Sequence, residues 1–271
     1  VSRYPTTSTT LSTTWGSEQS EICHILNAMT PPVRLLSAWF CPFAHRALIA
    51  LEEKGVAYEL VEAYRVSGDS SEKIPELLQR NPKGTVPVLI HRENETDTPL
   101  VLAESAIIVD YVDETWNSGT SLMPKHPKMR ALGRVAMTII SEQIIPGFYK
   151  VLKNPEPEIQ AKAQADFADA IEKFCQGIDD VGPFYFGAEF STVDLLLAPW
   201  VMRMQILGKY RQYEVPKTQR FMKFHRWAEA VRSRPSVIKT SPDAVKVTEV
   251  YATYAKGAPA KPPATDAVKE R

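Results

Sequence analysis

The chain opens without a hydrophobic period. Residues 1–31 contain TTSTTLSTTWGS, which has little to bury and cannot offset its own ordering entropy, so they predict a flexible or loosely packed N-terminal extension. From Val33 the pattern changes. VRLLSAW, bounded by Pro31 and Pro32, is a short apolar run and predicts a strand. PFAHRALIALEEKG follows, with Ala44, Ala47, Leu48 and Leu51 at helical spacing. Pro42 suits its first turn and Gly55 its C-terminal cap. AYELVEA alternates as a second strand, and residues 72–80 predict a short helix. VPVLIH and PLVLA read as two further strands around the charged turn RENETDT. ESAIIVDYVDETW closes the unit as an amphipathic helix.

The order is strand, helix, strand, helix, strand, strand, helix. Strands joined through a helix are parallel, and strands joined by a short loop form an antiparallel hairpin. Residues 32–117 therefore predict an α/β domain with a mixed four-stranded sheet. Beyond Trp116 no strand is expected. HPKMRALGRVAMTIISEQII, EIQAKAQADFADAIEKF and TQRFMKFHRWAEAVRS repeat apolar residues at three- and four-residue steps, which predicts an all-α domain over residues 129–250. WNSGTSLMPKHP supplies a linker at 118–128, and residues 251–271 read as a C-terminal tail. In the second domain, FSTVDLLLAPW places Ser191 three residues before Asp194, a capping box at the head of a helix that is apolar nearly all round. Asp194 is expected to be structural.

Composition narrows the function. Lys plus Arg number 32 and Asp plus Glu 32, so no global field draws the chain to nucleic acid or an anionic membrane. No apolar stretch approaches the roughly 18–20 residues that span a bilayer. Cys23, Cys41 and Cys175 stand far apart, without metal-ligand spacing or a disulfide framework. A reducing, cytoplasmic location is expected, with no metal, no nucleic-acid partner and no membrane partner.

The chemistry centres on WFCPFAHRA. Cys41 sits where the first strand hands over to the first helix, so free N–H groups and the positive end of the helix dipole favour a thiolate. The dipole contributes about 0.3–1 kcal/mol, and one pKa unit is about 1.36 kcal/mol, so the thiol is expected to fall by roughly one unit. His45 and Arg46 either assist it or face solvent or the domain interface. Three residues on, where a dithiol site carries its second cysteine, stands Ala44. A lone thiol forms a mixed disulfide with a small thiol and is released by a second molecule of it. Glutathione is the abundant candidate.

The succession CPFA, TVPVL and ES, followed by an all-helical domain, resembles the cytosolic glutathione transferases. The Cys-Pro-Phe-Ala step most resembles their omega or omega-like class. The resemblance covers about residues 33–245 and implies a thioredoxin-like first domain and a homodimer. It also implies a cis bond at Val86–Pro87, leaving the Val86 backbone to pair with the cysteinyl part of glutathione. Glu104 and Ser105 would then receive the γ-glutamyl end, and Lys73 the glycine carboxylate. Phe43 is expected to pack under the pocket. Tyr149, Trp200 and Met204 are candidates to line an acceptor pocket. The activity implied is glutathione-dependent thiol transfer or reduction, such as deglutathionylation or dehydroascorbate reduction. Glutathione would be the co-substrate, with a small electrophile or glutathionylated substrate as the second reactant. A hydroxyl in the place of Cys41 would instead serve the usual conjugating reaction. The alternative is a non-catalytic carrier of aromatic compounds in the interdomain cleft. A chloride-intracellular-channel-like scaffold shares the Cys-Pro-Phe step, but its long apolar segment and acidic loop are missing from this sequence.

Overall fold

The computed structural model describes residues 32–67, 70–94, 96–117 and 119–256. The extension expected over 1–31, with Cys23, and the part of the tail beyond residue 256 lie outside the described residues.

Strand β1 (Val33–Ser37) is central. It pairs in parallel with β2 (Tyr58–Glu62) and antiparallel with β5 (Val88–His91), which pairs antiparallel with β6 (Leu100–Ala103). The sheet is mixed and four-stranded, as expected, and its order is β2-β1-β5-β6. Alternation along β1 serves two cores. Val33 and Leu35 join the large core shared with the helical domain, while Leu36 joins a smaller one with Leu77 and Val88. On one face lie helices α1 (Pro42–Glu53) and α3 (Ser105–Thr115); on the other lies α2 (Pro75–Arg80).

One prediction needs correction. Residues 72–80 are not a single helix, because Glu72 and Lys73 end a strand and Pro75 opens α2. Between β2 and α2 the chain forms a separate antiparallel hairpin, β3 (Tyr64–Ser67) and β4 (Ser70–Lys73). Its polar sequence carries no apolar alternation that would reveal it.

The helical domain runs through α4 (Pro127–Ile139), α5 (Ile145–Lys153), α6 (Pro157–Cys175), α7 (Thr192–Val201), α8 (Met204–Arg211), α9 (Met222–Arg232), α10 (Pro235–Thr240) and α11 (Ala244–Ala255). A π-helical turn at Ile140–Ile144 joins α4 to α5 just ahead of Pro146. Proline there lacks a donor and crowds the preceding turn, which the wider π turn accommodates. The last helix extends past residue 250: Tyr251 is 1% exposed in the core and Tyr254 and Ala255 pack against it, so residues 251–255 belong to the helical domain and not to a tail.

The capping box at the head of α7 is present. Asp194 is fully buried and accepts from Ser191 N–H (2.8 Å) and Oγ (2.6 Å), Tyr185 N–H (2.8 Å) and Trp227 Nε1 (2.6 Å). Four donors on one buried carboxylate make a structural hub.

Two ties secure the first domain, one to the linker and one to the helical domain. Buried Lys54 pairs with Asp113 at 2.9 Å, and Asp113 also accepts from Leu122 N–H, Met123 N–H and Ser121 Oγ. The stretch read as a linker is thus stitched to α3. Arg234 forms a bidentate pair with Glu53 on α1 at 2.8 and 2.6 Å.

Candidate active site

Cys41 is the N-cap of α1, with extended backbone (φ −77°, ψ 120°), and Pro42 opens the helix. Proline at this position has no N–H to leave unsatisfied and a φ already suited to the helix. The Val86–Pro87 bond is cis. Pro87 is buried, and the Cys41 thiol donates toward the Val86 carbonyl oxygen at 4.0 Å. The cysteine and the loop before β5 therefore face each other. Ala44 is fully buried. Among the described residues Cys41 and Cys175 are free cysteines, and Cys175 is buried in the helical domain.

The thiol's acidity differs from expectation. Burial pushes the Cys41 thiol up, and it outweighs the opposing N–H groups of Ala44 and Phe43 and the charges of Arg203 and Arg46. The helix terminus acts in the predicted direction, but desolvation is larger. The residue keeps some solvent contact, yet protein closes around the sulfur from several elements.

Arg46 and His45 turn inward. Both are buried at the interface between α1 and the helical domain. Arg46 Nε donates to Leu196 O at 2.8 Å and Nη1 to Ser105 Oγ at 3.2 Å. Its guanidinium lies 4.8 Å from the Trp200 ring centre and 5.3 Å from that of Phe43. Burial without a carboxylate partner lowers it to about 9, so it remains charged at neutral pH. Phe43 does not pack beneath the pocket as expected. It is 37% exposed and meets Trp200 edge to face at 5.0 Å.

Ser105 opens α3 and is buried. Glu104, just before it, is exposed, pairs with Lys83 at 3.1 Å, and has φ +71°. A non-glycine residue held there is strained by about 1–3 kcal/mol, and such strain concentrates where side chains must be aimed. Lys73 is placed by the β3–β4 hairpin. Its Nζ lies 5.9 Å from the Tyr64 ring centre and beside Gly84, two residues before Val86. The Tyr64 hydroxyl donates to Gly84 O at 3.3 Å, and its ring meets Phe40 at 5.9 Å. The same wall of the cleft therefore carries Tyr64, Lys73 and Val86.

The acceptor-pocket residues separate. Tyr149 is half-buried and stacks on Tyr251 with ring centres 6.5 Å apart, and Tyr254 joins both at 5.8 and 5.2 Å. Lys153 Nζ sits about equally above Tyr149 and Tyr254, at 5.6 and 5.5 Å. Ionised Cys41 is felt at Tyr64, Tyr149, Tyr251 and Tyr254 alike, and burial pushes all four phenols up, Tyr254 to about 12. Tyr64, Tyr251 and Tyr254 were not anticipated. The last two fall within the supposed tail, where only the i, i+3 spacing in VYATY signals a shared helix face. Trp200 is 0% exposed and serves the core, so it does not line an open cleft. Met204 lines a different cavity of about 240 Å³ with Tyr213, Phe224 and His225. No cluster of His, Cys, Asp or Glu among the described residues has the geometry to hold a metal ion.

The geometry matches known proteins. The family model "Glutathione S-transferase, N-terminal domain" fits residues 40–115. The chain is 31% identical over 222 residues to glutathione S-transferase U16 of Arabidopsis thaliana, covering 80% of this chain and 91% of that protein. It is 34% identical over 222 residues to U28 of the same plant, covering 79% and 91%. Among solved structures, glutathione transferase Omega 3C from Trametes versicolor superposes with a TM-score of 0.72 at 31% identity, over 86% of this chain and 94% of that one. The Tau class glutathione S-transferase from mango, Mangifera indica, gives 0.71 at 27%, over 83% and 98%.

Proposed function

Because the chain belongs to the glutathione S-transferase family, we propose that it is an omega-like member working as a glutathione-dependent thiol transferase or reductase through Cys41. The observation that carries this reading is the lone thiol at the head of α1, 4.0 Å from Val86 O, with buried Ala44 where a resolving cysteine would stand.

Glutathione would set its cysteinyl backbone against Val86, its γ-glutamyl carboxylate on Ser105 and the free N–H groups opening α3, and its ammonium on Glu104. Lys73 would take the glycine carboxylate. In deglutathionylation the Cys41 thiolate attacks the glutathione sulfur of a mixed disulfide. That S–S bond breaks, the substrate thiolate leaves and takes up a proton, and a Cys41–glutathione disulfide remains. The thiolate of a second glutathione attacks the glutathione sulfur, releasing Cys41 and oxidised glutathione. Each exchange conserves electrons, so no further oxidant enters. A reducible electrophile such as dehydroascorbate would draw its two electrons and two protons from two reduced glutathiones, which leave as oxidised glutathione. The tyrosines Tyr149, Tyr251 and Tyr254 would flank the second substrate.

Supporting a homodimer, α3 and α4 expose Ile107, Leu132 and Val135, and a cavity of about 190 Å³ holds Asp110 and Glu114 with Arg130 and Arg134. A second copy would pair these opposite charges in a self-complementary way. A cytoplasmic location fits a monothiol recycled by glutathione.

The raised Cys41 thiol and the tyrosine stack favour a second reading, a carrier of aromatic compounds in the cleft. Intact-mass spectrometry after brief exposure to oxidised glutathione separates the two. One adduct, absent from Cys41→Ser and removed by excess glutathione, supports thiol transfer. No adduct, or adducts on other cysteines with Cys41 silent, leaves the carrier reading.

A further inference from the structure

Arg203 lies at the turn between α7 and α8, in the helical domain, and is 1% exposed. Its Nη2 donates across the domain boundary to Phe40 O at 3.2 Å. That carbonyl belongs to the same peptide unit as the Cys41 N–H, which itself donates to Ala38 O at 2.9 Å. The unit carrying Cys41 is therefore held at both ends.

The guanidinium is fixed in turn. Nη1 donates to Pro199 O at 2.8 Å and approaches His45 Nδ1 at 3.4 Å. His45 Nε2 lies 2.9 Å from Thr240 Oγ1, whose own proton goes to Ser236 O at 2.7 Å. The Thr240 oxygen is thus left to accept, His45 donates from Nε2, and Nδ1 turns its lone pair to Arg203. His45 stays neutral, since burial and then the Arg203 charge hold it well below the ordinary histidine range.

Charge completes the case. Neither Arg203 nor Arg46 has a carboxylate within ion-pair distance among the described residues, and Arg203 Nε has no partner. The titratable groups facing Cys41 are Arg46 on α1, Arg203, Tyr64 on β3, Tyr149 on α5 and Tyr251 and Tyr254 on α11. All four phenols are neutral at ordinary pH. Cys41 is the group in this set whose ionisation supplies a counterion to the two arginines.

We propose that Arg203 is a positioning residue for Cys41: from the helical domain it fixes the peptide unit that carries the cysteine and supplies the charge that favours its thiolate. This deepens the thiol-transfer reading of the same site. Cys41 remains the catalytic residue; Arg203 acts through it and through Phe40.

The test is alkylation of the full chain by iodoacetamide without glutathione, followed at Cys41 by site-resolved mass spectrometry from neutral to alkaline pH. The thiolate sulfur displaces iodide, so the rate tracks the thiolate. Arg203→Met is expected to move the Cys41 profile to higher pH and slow alkylation at neutral pH about fivefold to tenfold. Arg203→Lys, which keeps the charge, is expected to stay near wild type. A Met variant with wild-type near-UV circular dichroism and an unmoved profile overturns the proposal. So does an equal displacement by Lys and Met, which would make the effect one of packing. If the Met variant does not fold, Arg203→Gln takes its place in the same comparison with Arg203→Lys. The assay needs no glutathione, so a protein that never forms the glutathione adduct can still satisfy or fail it.

Discussion

Arg46 Nη1 donates to Ser105 Oγ at 3.2 Å, which joins the cysteine-bearing helix to the N-terminus of α3 from below. The serine oxygen accepts from the protein side, so its proton is free to donate outward to an anion. Ser105→Ala is expected to raise the KM for glutathione about tenfold, the equivalent of roughly 1.5 kcal/mol for one charge-assisted hydrogen bond. Cys41 alkylation by iodoacetamide should stay within twofold of wild type, on the order of the error of such comparisons. An unchanged KM would remove Ser105 from the binding site.

Burial pushes the Cys41 thiol up, so its alkylation should rise with pH later than that of a small-peptide thiol. The sign for stability follows. A group whose folded pKa is raised contributes fully below its unfolded pKa, and that contribution fades as pH climbs through the folded value. Cys41→Ala should therefore flatten the alkaline loss of stability. Thermal melts of wild type and variant from neutral to alkaline pH would show it, and parallel curves would contradict it.

Asp113 behaves in the opposite way. Burial opposes its charge, but Leu122 N–H, Lys54 and Ser121 outweigh it and hold the carboxyl below the ordinary aspartate range. Its contribution is present above the unfolded pKa and lost as pH falls through the lower folded one. Asp113→Ala strands a buried lysine and should cost about 3–5 kcal/mol, measured by urea unfolding at neutral pH. The difference from wild type should shrink in acid. A cost below about 1 kcal/mol would mean that the pair is as weak as a surface ion pair.

Val135→Asp places a charge on an exposed apolar side chain of α4, an element that carries none of the thiol's named partners. If a second copy covers this face, light scattering coupled to gel filtration should show the variant dissociating while Cys41 alkylation holds. A wild-type protein that is already monomeric at micromolar concentration would sink the dimer.

The parts legible in the sequence were those governed by local chemistry. Pro42 after Cys41 and Ser191 with Asp194 each state their geometry within a few residues, whereas the cis Val86–Pro87 bond was implied only by the family resemblance. The parallel β1–β2 pair and the antiparallel β5–β6 hairpin followed from connection lengths, while the β1–β5 pairing that joins them did not. What escaped was set by distant packing. The β3–β4 hairpin is polar, so Tyr64 and Lys73 carried no strand signal. Tyr251 and Tyr254 looked like the start of a tail because their burial depends on α5, about a hundred residues earlier. The direction of the Cys41 shift was misjudged for the same reason. The helix dipole can be read locally, whereas desolvation depends on every element that closes over the sulfur.

The tyrosine wall over Cys41 has a consequence for biogenesis. Tyr251 is synthesised roughly 200 residues after Cys41, which at ribosomal speed is an interval of about 10–40 s. During that interval the residues ahead of α11 can begin to fold, while Tyr251 and Tyr254 have yet to join Tyr64 and Tyr149 around the cleft. The nascent thiol is thus more open to solvent and oxidants than the finished one, and completion of α11 ends that exposure.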